Sequence, residues 1–110
     1  MPSFLQQISY TQGAWSTLVG HPQDRIDAVR PAVEKLGGKI ISAYFSFGDY
    51  DVITITEFPT NVDAAAIAMA FAAGGAVRSV KTTPLLTTGE ALEALKKAST
   101  TGYKALAAGQ

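Results

Sequence analysis

Cysteine is absent from the 110 residues, which excludes disulfides, thiolate nucleophiles and cysteine-ligated metal sites. Charge is scarce and balanced: charged residues make up 16% of the chain, nine basic side chains against nine acidic. No basic stripe occurs, so neither nucleic acid nor an anionic membrane surface is an expected partner. Histidine occurs once, at His21, too few to build the usual zinc or non-haem iron site alone. One axial ligand would suffice for haem, but His21 sits in a polar turn rather than an apolar pocket. No metal or other cofactor is therefore expected. The longest uncharged apolar run, Ala64 to Val77, is too short to span a bilayer. Met1 to Tyr10 shows no positive region followed by an apolar core, so no secretory signal is expected and a cytoplasmic protein is. Ser16, Ser42, Ser46 and Ser79 lack a G-x-S-x-G setting. Gly37-Gly38-Lys39 and Gly74-Gly75 follow helices, whereas a phosphate loop precedes one.

What is present fits one domain. Hydrophobic residues make up 47% of the chain. With so little charge, part of the surface is expected to be buried against another chain. Phe4 to Thr11 alternates as a strand, with Phe4, Gln6, Ile8 and Tyr10 on one face, and Thr11-Gln12-Gly13 reads as its closing turn. A helix is expected from Pro22, at its first position, to Gly37-Gly38. Asp24 falls in its first turn, and Ile26, Val29, Val33 and Leu36 form its apolar stripe. Pro31 lies on the polar face, where a kink is expected. Lys39 to Phe47 and Tyr50 to Phe58 read as two strands around a Gly48-Asp49 hairpin turn. A second helix is expected from about Val62 to Ala73, after a Thr60–Asp63 capping box. Ala76 to Leu86 reads as an edge strand carrying Pro84, and Gly89 to Ala98 as a short extra helix. The tail, Ser99 to Gln110, is expected to be disordered or laid across a neighbour.

The order β-α-β-β-α-β predicts an α+β fold, a ferredoxin-like four-stranded antiparallel sheet spanning residues 1–88, with a C-terminal helix and tail over residues 89–110. Both main helices then cover one face of the sheet. Apolar residues nevertheless occur on both faces of the second and third strands: Ile40 and Tyr44 oppose Ile41, Phe45 and Phe47, and Val52 and Phe58 oppose Ile53 and Ile55. A bare face of that composition predicts a second copy packed against it. The run from Ala64 to Ala73 has no polar side chain, and Ala64, Ile67, Ala68 and Phe71 make its core stripe. Its back is either cheaply exposed alanine or a contact with the C-terminal helix or another subunit.

The segment Phe47-Gly48-Asp49-Tyr50-Asp51-Val52-Ile53, followed by Glu57-Phe58-Pro59 and the alanine-rich helix, resembles the GYD domain family. The Leu36-Gly37-Gly38-Lys39 junction and the Gly74 to Arg78 segment extend the likeness, which covers about Phe4 to Leu86. Asp49 separates Gly48 from Tyr50, so the motif takes the form Gly-x-Tyr-Asp. The resemblance implies a dimeric α/β barrel, in which two ferredoxin-like sheets pack together. Relatives of that architecture include cofactor-free monooxygenases, isomerases, haem enzymes and ligand-binding regulatory domains. The resemblance itself implies a small-ligand pocket and no particular reaction.

The candidate residues each carry two readings. His21 is a proton shuttle or a capping or surface residue at a helix start. Asp51 is a general base with Tyr50 beside it, or an acceptor of backbone N–H groups that fixes the hairpin register. Tyr10, Trp15 and Tyr44 form an aromatic wall around a flat apolar ligand, or pack in a core or dimer interface. Arg78 binds a ligand carboxylate or pairs with Asp51 or Glu57. Three functions follow: a homo-oligomer that binds a small, partly apolar molecule, which is preferred; a cofactor-free oxygenase or isomerase; or an oligomerisation module without a ligand.

Overall fold

Alternating side chains make Ser3–Tyr10 a strand, β1, whose even-numbered residues from Phe4 to Ile8 are buried. Three further strands, β2 (Lys39–Phe45), β3 (Val52–Glu57) and β4 (Val77–Leu85), complete an open antiparallel sheet in the order β2-β3-β1-β4. Four helices accompany it: α1 (Gln12–Gly20), α2 (Arg25–Lys35), α3 (Asn61–Ala73) and α4 (Thr88–Ala98). The computed structural model describes residues 1–107. The chain has the α+β, ferredoxin-like fold expected, with β1 and β3 central and Pro84 on an edge strand. The last three residues of the 99–110 tail lie outside the described residues.

The helix boundaries follow their caps. Asp24 is the N-cap of α2, its carboxylate accepting from the N–H groups of Ile26 (2.9 Å) and Asp27 (3.3 Å). Pro22 therefore lies ahead of the helix, and Asp24 sits at the cap rather than in the first turn. Pro31 is inside α2 and exposed. Thr60 caps α3, accepting from Asp63 N–H and donating to its carboxylate. The α3 stripe is as the spacing predicts: Ala64 and Ile67 are buried, Ala68 and Phe71 half-buried.

Three further features differ from the sequence reading. Thr11 is a helix N-cap rather than part of a turn, because its hydroxyl accepts from Ala14 N–H at 3.1 Å and starts α1. Trp15 accordingly lies on a helix. In β2, Ile40 pairs with Thr56 and Ser42 with Ile55, so Ile41 is the extra residue of a bulge. The bulge puts Ile40 on the same side as Ala43 and Phe45, towards the helices, and leaves Tyr44 on the other face. The strands flanking the hairpin are also shorter than expected, ending at Phe45 and resuming at Val52.

The core lies at one end of the sheet. Phe4, Val33, Phe58, Ala64 and Ile67 are buried together, with Leu36, Ile40 and Phe71 packed around them. Phe4 and Phe58 meet edge to face, ring centroids 6.1 Å apart. Burying each such ring contributes about 2–3 kcal/mol. Gly38 is required where α2 passes into β2: a Cβ there would lie 2.6 Å from the Phe58 ring. Beyond Leu85, which pairs with Ser3 at this same end of the sheet, α4 continues with no buried residue. The radius of gyration, 17.9 Å, exceeds the roughly 13 Å typical of this length, and the long axis reaches 57 Å.

Candidate functional site

Where β1 runs past the core towards Tyr10, the space between sheet and helices is not filled. A cavity of about 570 Å³ lies there. Its walls are apolar: Ile8, Ile26, Val29, Val52 and Phe71 face it, while Ala14 and Leu18 of α1 close one side. A cavity of this size suits a small organic molecule.

Its floor is polar. Gln6, Thr54 and Thr56 come from the two central strands, and Gln6 and Thr54 are direct cross-strand partners. All three are buried: Gln6 is 1% exposed, Thr56 2% and Thr54 6%. Gln6 Nε2 donates to Thr82 Oγ1 at 3.4 Å, and Thr56 Oγ1 to the Phe4 carbonyl at 3.5 Å. The Thr54 hydroxyl has no partner among the described residues. Burying an unpaired hydroxyl costs about 1–3 kcal/mol. A sheet built for packing alone would place valine at that position.

Tyr10 stands at the far end of the cavity, and the GYD-like hairpin holds it there. The Tyr10 main-chain N–H donates to Asp51 Oδ2 at 2.8 Å. Asp51 N–H donates to the Ile8 carbonyl, Ser9 Oγ to the Asp49 carbonyl, and Ser46 Oγ to the Tyr50 carbonyl. Gly48, at φ +148°, allows the tight path that brings these acceptors together. Asp51 thus completes the β1–β3 ladder beside the irregularity at Ser9/Tyr10. The Trp15 ring meets Tyr10 edge-on, centroids 5.5 Å apart and planes at 87°. Burial pushes the Tyr10 phenol pKa above its ordinary value, the Arg25 charge pulls it down and the Asp51 charge adds to the rise.

The candidate residues named from sequence divide between places. Tyr10 lines the cavity and Trp15 packs against it. Tyr44 lies on the opposite face of the sheet, beside Ile53 and 69% exposed. Arg78 is exposed on edge strand β4; the ion pairs among the described residues join Arg30 to Asp27 and Lys97 to Glu93. His21 ends α1, exposed, its N–H donating to the Thr17 carbonyl. Neither His21 nor Asp51 lines the cavity. The sequence reading missed Gln6, Thr54, Thr56 and Arg25. A signal existed for the first three: polar residues on the strand faces that also carry Phe4, Ile8, Val52 and Phe58.

Among the described residues, no three His, Asp or Glu side chains converge as a metal site, and no helix is long and apolar enough to cross a membrane. The model of the GYD domain family matches residues 4–95, which includes the first turns of α4. No curated protein matches the chain.

Proposed function

Because the chain belongs to the GYD domain family, we propose that it acts as a family member that binds a small, mostly apolar molecule between the sheet and the helices. The observation that supports this reading most is the unpaired, buried Thr54 hydroxyl beneath an apolar cavity of about 570 Å³. That oxygen is closed to solvent as it stands, so a turn about the Thr54 Cα–Cβ bond would bring the hydroxyl to a ligand's one hydrogen-bonding group while the ligand's body displaces water from the walls. Binding is favoured over proton-transfer chemistry because Asp51 is engaged by Tyr10 N–H and His21 lies elsewhere.

The same reading includes a homodimer formed through the helix-free face. Leu5, Ile53 and Ile55 are only half-buried there, and Tyr44 is exposed. Two such sheets face to face would make the α/β barrel.

Trp15 is the chain's single tryptophan and touches Tyr10, so it reports on the cavity. Titration with octanol is expected to shift its emission saturably. Thr54→Val is expected to weaken binding about fivefold while leaving the fold as stable as before or more so. No saturable response would remove the reading.

A further inference from the structure

We propose that the cavity selects an anionic amphiphile, with its apolar body between the helices and a carboxylate against Arg25. This deepens the cavity-binding reading and rests on it. Arg25 is the one charged residue that lines the cavity among the described residues. It is half-buried, yet neither of the ion pairs among those residues involves it. Its guanidinium Nη1 donates to the neutral Gln23 Oε1 at 3.2 Å, and Gln23 also lines the cavity.

Local structure does not account for a cation at this position. Arg25 is the first residue of α2, where the helix dipole disfavours positive charge. The cap there is already supplied by Asp24. Arginine's planar fork of donors suits a carboxylate, and partial burial strengthens such a pair relative to one in water. Arg25 and Tyr10 both line this same space. At neutral pH a tyrosine phenol is protonated, so Tyr10 can donate a second hydrogen bond to the same head group. The occupant that matches one cation, a phenolic donor and apolar walls is a monoanion with a hydrocarbon body.

Calorimetric titration of the full chain with octanoate and with octanol, at neutral pH, separates this inference from the reading beneath it. Octanoate is expected to bind about tenfold more tightly than octanol. Arg25→Gln should abolish the preference by weakening octanoate binding about tenfold, and Arg25→Lys should restore part of it. Equal binding of the two ligands by the wild-type chain overturns the anion preference and leaves the cavity reading standing. Octanoate binding that survives Arg25→Gln undiminished also overturns it. Failure of both ligands to bind overturns the cavity reading, and this inference with it.

Discussion

The main-chain N–H of Tyr10 donates to the Asp51 carboxylate across 2.8 Å, so a side chain completes the β1–β3 ladder at the point where β1 reaches the cavity. The hairpin sequence around Gly48, Tyr50 and Asp51 therefore acts at a distance from its own turn. It fixes the end of a neighbouring strand and the aromatic side chain that the strand carries.

Asp51→Asn keeps an acceptor oxygen and is expected to cost less than about 1 kcal/mol. Asp51→Leu leaves the Tyr10 N–H without its partner and is expected to cost about 2 kcal/mol. Urea denaturation of both variants reads the difference, and equal losses would remove Asp51 from this role.

Gly38 is held to glycine by the Phe58 ring and the Glu57 carbonyl, both within 2.8 Å of where a Cβ would sit. Gly38→Ala is expected to destabilise by about 1–3 kcal/mol through overpacking. Gly20, in α1, has open space around it, and Gly20→Ala is expected to be neutral or to stabilise by about 0.5 kcal/mol. A common effect of the two in chemical denaturation would contradict the packing account.

The Tyr10 phenol has its pKa raised, chiefly by burial. Folding thus favours the neutral form. Its contribution is fully present below the unfolded value of about 10 and is lost as pH rises through the higher folded value. Stability of the wild-type chain should fall above about pH 10 more steeply than that of Tyr10→Phe. Parallel denaturation curves for the two at alkaline pH would show that the phenol is not desolvated.

If the helix-free face meets a second copy, Tyr44→Asp places a charge in that contact. The wild-type chain is then expected to give twice the single-chain mass by light scattering, and the variant to give the single-chain mass or to precipitate. A soluble dimer of unchanged stability would place the interface elsewhere.

Sequence patterning revealed elements with a long apolar period and missed those without one. The β1 alternation and the Ala64, Ile67, Ala68, Phe71 stripe are strong signals, and both describe the structure. The helix α1 has no buried residue, and Gly13, Ser16, Thr17 and Gly20 lower its propensity. Only the Thr11 cap and the Ala14–Leu18 spacing marked it. The Ile41 bulge left no mark, because Ile40 and Ile41 are alike in character and either can face a core. Arg25 was invisible as a site residue for a related reason: a lone arginine at a helix start reads as surface until the cavity beside it is seen. Tyr10 and Trp15 were legible as aromatics near a turn, but their contact depends on α1 folding back over the end of β1.

The outward position of α4 divides the chain into two regimes of opening. An isolated helix of eleven residues is marginal in water, and its capping box and the Glu93–Lys97 pair contribute little against fraying. Its amides should therefore exchange hydrogen for deuterium by local melting, while those of central β1 exchange only when the whole sheet opens. Any partner that seats Leu92 and Leu95 would slow the first clock and leave the second untouched, so exchange rates along these eleven residues report directly on contact with another molecule.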